Sequence, residues 1–438
     1  MYNNFIYIFK SFNIFGEWCT IKRFFSIIIS LMLSLTLLSP AFAAAQQAND
    51  LSTLGGVHSY ARSVNEDGLV VGYSYTSEGQ VHAFKYKDGS IIDLGTGTGI
   101  SSRAYSVNDK SQIAGYIEKE DGENEAVIWA YNAYQVIGNL GGNYARAYGI
   151  DNNGSAVGKS LNSSSQIHAF VWDTDSMHDL GTLGGKESCA YSIVESVYAA
   201  TYTSVSGLLC SPFSTSVSDS VYSNALIVGE SKTNEGKTHA FLWKSDKMYD
   251  LGTLGGDSST ATGINNKGQI VGYSSTSAGT VHAFIWENGK MTDIGTLGGS
   301  NSNATSINDN GQIVGWSDTS DGKRVAFVWY NRKMSSMPDL SGTDSAAYGI
   351  NSSGLIVGTS AIINGYYFHA FSFTKPCNLP GDANDDAKIN SVDVSLLKRF
   401  ILMKISEDDI DTQNADMNKD GKINSADYSL LKRLVLKM

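Results

Sequence analysis

One spacing governs what this chain can fold into. A tetrad of the form Ala-x-(Gly/Ser)-(Ile/Val) begins at Ala61, Ala104, Ala147, Ala190, Ala261, Ala304 and Ala347, in steps of 43, 43, 43, 71, 43 and 43 residues. Self-similarity at a fixed period of this size marks a repeat architecture and has to be settled before any local assignment. There are seven units, and the fourth carries 28 residues more than the others, between Ile193 and Ala225.

The unit that starts at Ala261 is the clearest. It runs Ala261-Thr-Gly-Ile264-Asn265, Asn266-Lys-Gly268, Gln269-Ile-Val-Gly-Tyr273, Val281-His282-Ala-Phe284-Ile-Trp286, then Lys290-Met-Thr-Asp-Ile294 and a closing Gly-Thr-Leu-Gly-Gly. Short apolar or β-branched runs bounded by Asn/Gly turns predict four strands per unit. No run is long and periodic enough for a helix. Four antiparallel strands every 40 to 45 residues or so is the size of a propeller blade. The last unit stops after its third strand, Phe368-His369-Ala-Phe371-Ser-Phe373, whereas Asn49-Asp50-Leu51-Ser-Thr-Leu-Gly-Gly56 matches the missing fourth strand and its turn. The expectation is a mainly β fold: a seven-bladed β-propeller over residues 46–374 whose N-terminal strand closes the last blade. An open β-solenoid is the competing arrangement. The composition, 45 Gly and 23 Tyr against 5 Pro, agrees with turn-rich β structure.

Within the repeat, His-Ala-Phe recurs at His82, His168, His239, His282 and His369 in that spirit, the last as His-Ala-Phe371, while Ala126 and Val325 replace the His in units two and six. A group needed for chemistry has to appear only once in a ring, so a recurring His reads as packing, hydrogen-bonded to a neighbouring turn. Trp129, Trp172, Trp243, Trp286 and Trp329 end the third strand of five units and read as packing between blades. The repeated Gly residues read as turn chemistry, and Asn65, Asn265, Asn308 and Asn351 as hairpin connections. The repeat resembles the extracellular HAF repeat family over residues 48–374. That resemblance implies secretion and tandem β structure and lends no catalytic residues.

The C-terminal region has a different character. Asp382-Ala-Asn384-Asp-Asp386-Ala-Lys388-Ile-Asn390-Ser-Val-Asp393 is followed 34 residues later by Asp416-Met-Asn418-Lys-Asp420-Gly421-Lys422-Ile-Asn424-Ser-Ala-Asp427, and each copy leads into a helical run containing Leu-Leu-Lys-Arg. Side-chain oxygens at loop positions 1, 3, 5 and 12, with a backbone carbonyl at position 7, are what a Ca²⁺ loop supplies to an ion that takes six to eight oxygens. Position 12 is Asp where an EF-hand has Glu, and position 6 is Gly421 in the second copy but Ala387 in the first. This stretch, residues 381–438, resembles a type I dockerin, the module that attaches secreted proteins to the cohesins of a cellulosomal scaffold. The resemblance implies two calcium ions. Asp382, Asn384, Asp386, the Lys388 carbonyl and Asp393 would hold the first, and Asp416, Asn418, Asp420, the Lys422 carbonyl and Asp427 the second. It also implies cohesin contacts by Ser391, Val392, Lys398 and Arg399, and by their near-copies Ser425, Ala426, Lys432 and Arg433, so that two docking orientations related by a half turn are expected.

The remaining segments complete the organisation. Lys22 and Arg23 precede the apolar run Phe24 to Leu38 and then Ala41-Phe42-Ala43, the layout of a signal peptide over residues 1–45. The run is short for a membrane span of about 20 residues, so secretion without membrane retention is expected. Residues 375–380 form a two-proline linker. Of the four Cys, Cys19 leaves with the signal, and Cys189, Cys210 and Cys377 show no zinc spacing; Cys189 with Cys210 is one possible pair and free thiols are the other. The net charge of −11 argues against a nucleic-acid partner.

Two features break the repeat. The insertion in unit four is rich in Ser, Thr and Tyr, with Tyr198, Tyr202, Phe213 and Tyr222; it is either a recognition loop with sugar-stacking aromatics or an unselected insertion. Gly365-Tyr366-Tyr367 is read as a β-edge, with a sugar-stacking patch as the alternative. Unrepeated acids stand at Glu118, Glu120, Asp121, Glu123 and Glu125, a solvated hairpin face, and at Glu187, Glu195 and Glu230 around unit four. Glycoside hydrolysis needs two carboxylates about 5–10 Å apart, and spacing alone nominates no pair. The expected function is that of a secreted, cellulosome-associated protein, dockerin-attached to a cohesin. Its propeller would bind plant cell-wall polysaccharide or protein in the course of polysaccharide catabolism. A dockerin-borne glycoside hydrolase or polysaccharide lyase with its active site on the propeller is the alternative.

Overall fold

The computed structural model describes residues 48–195, 225–340, 344–362, 365–374, 381–383, 389–406, 410 and 412–436. The signal segment, the unit-four insertion with its aromatic residues, the linker, Cys210 and Cys377 lie outside the described residues.

The repeat folds as antiparallel meanders. In the first unit the strands Gly55–Val64, Val70–Thr76, Val81–Lys87 and Ser90–Asp93 pair in chain order, and the same plan recurs at 101–136, 141–179, 184–250, 255–293 and 298–336. The last unit has Ser345–Ile350, Leu355–Ile362 and Tyr367–Thr374 from its own stretch. Its fourth strand is Asn49–Asp50, which runs antiparallel to the third with Asn49 opposite Ser372 and Asp50 opposite Phe371. Repeating four-stranded antiparallel sheets of this kind are the arrangement of β-propeller blades.

The tetrad that sets the period marks a β-bulge. The pairing of the first two strands shifts register between the Ala and the Gly/Ser of the tetrad in each unit, as between Ala61 and Ser63 or Ala261 and Gly263. A bulge inserts one unpaired residue and re-aims its side chain. The residues so displaced, Arg62, Tyr105, Tyr148, Tyr191, Thr262, Thr305 and Tyr348, all border one cavity of about 140 Å³. The bulge also explains a recurrent glycine whose pattern in the sequence suggests turn chemistry. Gly72 and its equivalents, such as Gly272, lie inside the second strand, opposite the tetrad Ala. A Cβ there would come within 1.9 Å of the Tyr60 carbonyl oxygen at Gly72 and within 2.0 Å of the Thr260 oxygen at Gly272. Close approach of backbone, rather than positive φ, requires glycine at these positions.

The core lies between sheets, not within them. Val71 and Ala83 of the first unit cluster with Ala104, Ile113 and Trp129 of the second, and the other four Trp named above likewise pack across neighbouring units. The last unit meets the first in the same way: Val357 and Ala370 cluster with Leu51, Ala61, Val70 and Phe84. Polar bridges repeat with the packing. The Ala83 amide donates to Ser102 Oγ at 2.8 Å, and the Ala370 amide donates to Ser59 Oγ at 2.8 Å. The turn asparagines do more than connect hairpins. Asn65 Nδ2 donates to the Asn108 carbonyl, Asn265 to Asn308, Asn308 to Asn351, and Asn351 back to Asn65, each at 2.9–3.0 Å.

The recurrent His finds its partner on the adjacent fourth strand rather than in a turn. His82 Nδ1 lies 2.8 Å from Asp93, His239 2.8 Å from Asp250 and His282 2.7 Å from Asp293. The other carboxylate oxygen of Asp93 accepts from the Gly95 amide, so the Asp ties the His to the start of the next turn. In the last unit the pair is His369 with Asp50, 319 residues apart in the chain, and Asp50 also accepts from the Ser52 amide. Burial pushes the Asp50 carboxyl up, but the hydrogen bonds from His369 and Ser52 outweigh it and hold the group below its usual value of 3.8. A depressed carboxylate stabilises the fold at pH above its unfolded value, and that contribution is lost as pH falls through the folded value. The N-terminal strand should therefore hold near neutrality and loosen only in acid below about pH 3.8. Hydrogen exchange of the Leu51 amide, bonded to the Ala370 carbonyl at 2.9 Å, should accelerate there beyond its intrinsic pH dependence; unchanged protection would contradict the role given to Asp50.

At the C-terminus α1 (Ser391–Ile401), α2 (Thr412–Ala415) and α3 (Ser425–Val435) enclose a small core of Ala383, Leu397, Ile410, Ala415 and Leu431. Leu397 and Leu431 occupy the same position in the two Leu-Leu-Lys-Arg copies and are both fully buried.

Candidate functional site

Each calcium-type loop ends by starting a helix. Asn390 and Asn424 are N-caps in extended backbone, and their side chains accept from the amides of Val392 and Ala426 at 2.8 Å. In return, position 12 of the loop is N3 of the helix: Asp393 accepts from the Asn390 amide at 2.8 Å and Asp427 from the Asn424 amide at 2.9 Å. These are capping boxes, which satisfy helix-end amides that would otherwise be orphaned. Asp393 and Asp427 are both fully buried, and a buried carboxylate is tolerated only with partners for its charge. Asp at position 12 in place of Glu thus doubles as the short N3 residue of the box.

The second loop is described throughout. Asp427 Oδ1 accepts from the amides of Met417 and Asn418 at 3.0 and 3.3 Å. Asp416 accepts from the Asp420 and Gly421 amides at 3.2 and 2.8 Å, and Asp420 from the Lys422 amide at 2.9 Å. Gly421 turns the chain at φ +77°, a left-handed conformation that glycine adopts without a Cβ clash. The side chains of loop positions 1, 3, 5 and 12 thus converge on their own loop. Among the described residues no three carboxylates, imidazoles or thiols are gathered closely enough to cage an ion as they stand. The donor set is nevertheless all oxygen, with three carboxylates and an amide on a twelve-residue loop, which is hard-cation chemistry. In the first loop Asp382 and Asp393 are buried, while Asn384, Asp386 and Lys388 lie outside the described residues.

The eight residues assigned to cohesin contact are all solvent-exposed: Ser391, Val392, Lys398 and Arg399 on α1, Ser425, Ala426, Lys432 and Arg433 on α3. Seven residues separate the first of each small pair from its basic partner, two helical turns that return to one face. Val392 is 54% exposed.

The repeat domain offers other groups. Arg62 lies over the rings of Tyr348 and Tyr105 at 4.4 and 5.1 Å, a cation–π arrangement at the shared cavity. The acids of unit two behave as a surface hairpin: Lys119 pairs with Glu125 at 2.6 Å, and Asp121 accepts from the Glu123 amide. Glu195 ends the first strand of unit four, where it helps burial hold the Asp151 carboxyl above its usual value. Tyr366 is 76% exposed in the turn before the third strand of the last unit, and Tyr367 begins that strand, which runs between Leu355–Ile362 and Asn49–Asp50 and so is not the sheet edge that the sequence suggests. Glu187 and Glu230, which spacing could not relate, border the same groove between units three and four. Aligning the second strands at the 43-residue period would have pointed to it, because that position reads Tyr73, Tyr116, Lys159, Glu230, Tyr273, Trp316 and Thr359, charged only in units three and four.

Residues 380–436 match the Dockerin type I domain family. No curated protein matches the chain. Among solved structures, the β-propeller domain of the Trilobed protease from Pyrococcus furiosus is similar at 8% identity, with 72% of this chain and 95% of that chain covered and a TM-score of 0.44. The WD40 β-propeller domain of Doa1 is similar at 17% identity, over 75% of this chain and 97% of that one, with a TM-score of 0.41. The BP39L lectin from Burkholderia pseudomallei shares 9% identity over 74% and 98%, with a TM-score of 0.42. Among the described residues no helix is long and apolar enough to cross a membrane.

Proposed function

We propose that this is a secreted cellulosome component in which a closed ring of seven four-stranded blades is the cargo and the C-terminal dockerin is the plug. The dockerin match supports cohesin binding of the cellulosome type. The observation that carries the reading is the pair of buried position-12 carboxylates, Asp393 and Asp427, each placed at the start of a helix that exposes the same Ser-x₆-Lys-Arg face. Calcium, when bound, would supply the positive charge that lets several carboxylates share one short loop. Asp382, Asn384, Asp386, the Lys388 carbonyl and Asp393 would hold one ion, and Asp416, Asn418, Asp420, the Lys422 carbonyl and Asp427 the other. With both loops ordered, Ser391, Val392, Lys398 and Arg399, or alternatively Ser425, Ala426, Lys432 and Arg433, would face the cohesin.

Support for closure of the ring comes from chemistry repeated between the last unit and the first: the His369–Asp50 pair, the Ala370–Ser59 bridge and the Asn351–Asn65 bond. The ring would carry the affinity for plant cell-wall polysaccharide or protein. Incubated with insoluble plant cell-wall fractions, the full chain should sediment with them and release no reducing ends. A chain that stays in the supernatant on every fraction defeats the binding role, and reducing-end release abolished by a single propeller substitution would show an enzyme instead.

A further inference from the structure

Between the first units, two residues fill the space that faces the next sheet. Arg103 of unit two stacks over Tyr73 of unit one with 5.4 Å to the ring centroid, and Arg146 of unit three stacks over Tyr116 of unit two at 4.2 Å. At the next interface the repeat changes both partners. The Arg position becomes Cys189 and the Tyr position becomes Lys159. The small thiol leaves the space open, and a groove of about 260 Å³ remains between units three and four. Burial pushes the Cys189 thiol up to about 12, so it stays neutral at the base of the groove.

The groove is polar and carries both signs of charge. Lys159, Lys232 and Thr238 offer donors, while Glu187 and Glu230 offer carboxylates. Glu230 is held in place from two sides: Tyr191 Oη donates to one oxygen at 3.0 Å and Thr260 Oγ1 to the other at 2.7 Å. Each of those oxygens retains a lone pair for a ligand hydroxyl. Lys232 Nζ is anchored on Thr238 Oγ1 at 2.8 Å. Lys159 Nζ sits 5.8 Å from the centroid of the Tyr144 ring. Fixed donors and acceptors around a small space recognise hydroxyls by geometry, and two ammonium groups against two carboxylates favour neither sign of ligand charge. The volume lies below the range of about 300–1,000 Å³ that takes drug-sized molecules, which limits the ligand to about one ring.

We propose that this groove is a binding subsite for a single neutral, hydroxyl-rich sugar ring, such as a chain end or a side branch of a polysaccharide. The proposal rests on the reading that the propeller engages cell-wall carbohydrate, and it names where. Cys189 lines the groove at the position that is Arg103 and Arg146 in the two preceding units.

The test titrates the full chain with the methyl glycosides of glucose, xylose, galactose and arabinose, and with glucuronate, followed by saturation-transfer NMR and calorimetry. At least one neutral glycoside should bind with roughly millimolar affinity, the range open to so small a ligand. Cys189→Arg, which introduces the long side chain that units two and three carry at this position, should weaken that binding by at least about tenfold. Lys159→Met and Glu230→Gln should weaken it as well, which keeps the test decisive if the Arg variant fails to fold. Thr280→Ala, in unit five, should leave it unchanged. The proposal is overturned if no neutral glycoside binds, if binding survives in a folded Cys189→Arg or Lys159→Met protein, or if glucuronate binds tenfold tighter than every neutral sugar. Sedimentation with insoluble wall fractions is scored separately: if it fails while a glycoside still binds in the groove, only the wall-binding reading falls.

Discussion

Replacing Asp393 and Asp427 together by Ala is expected to reduce capture by a type I cohesin to background, even with calcium in millimolar excess. Each substitution removes a buried carboxylate with two tasks. It is the last ligand position of its loop, and it accepts the N-cap amide of the helix that carries the docking face. Loss of a helix cap alone costs roughly 0.5–2 kcal/mol, and a calcium-coupled fold loses the binding energy of the ion as well. Far-UV circular dichroism of the wild-type chain should gain helical signal on addition of calcium and lose it to a chelator, whereas the double variant should respond to neither. Cohesin capture that persists in the double variant, or a wild-type signal indifferent to chelation, would show that these loops are not the calcium sites. The single variants separate the two halves of the module. If docking works in two orientations, Asp393→Ala and Asp427→Ala alone should each leave part of the capture intact.

The second large effect concerns the strand Asn49–Asp50 and its pairing with the last unit. Deleting residues 48–52 should lower the melting temperature of the repeat domain on the order of 5–15 °C, since it removes several kcal/mol from one interface. Leu51 is 1% exposed and packs against Val357 and Ala370 of the last unit as well as Phe84 of the first. Deletion of a buried leucine costs roughly 2–5 kcal/mol. The same deletion removes Asp50 from His369 and leaves the third strand of the last unit, Tyr367–Thr374, as an unpaired edge. An open solenoid would tolerate the loss, because terminal residues there support only their own repeat. An unchanged melting temperature in the deletion variant would therefore rule out closure through this strand.

Much of the repeat domain was legible because a repeat states its own boundaries. Alternating runs between Asn/Gly turns gave the strands, and the phase difference between the termini pointed to the pairing of residues 49–50 with the last unit, which the register of Asn49 with Ser372 bears out. The loops at Asp382 and Asp416 were legible for another reason: ligand spacing along a loop is a local property. What a linear sequence conceals involves two strands at once. Gly72 looks like turn chemistry in one dimension, yet its cause is the carbonyl of Tyr60 on the neighbouring strand. His239 looked like the partner of a turn, yet Asp250, eleven residues on, lies beside it only after the third and fourth strands pair. Glu187 and Glu230 stand 43 residues apart with an insertion between them, and only packing of unit three against unit four gives them a common groove.

By itself, then, the amino-acid sequence determined the period, the strands and the two oxygen-rich loops, because all of these follow from residues close together in the chain. Only the tertiary structure decided that the bulged residue of every tetrad borders one shared cavity, that Asp393 and Asp427 cap the helices their loops begin, and that Lys159, Cys189, Glu187 and Glu230 line one groove. Those outcomes depend on which surfaces meet between sheets and on the space left when they do, and a period of 43 residues says where units recur without saying what each one's neighbour leaves unfilled.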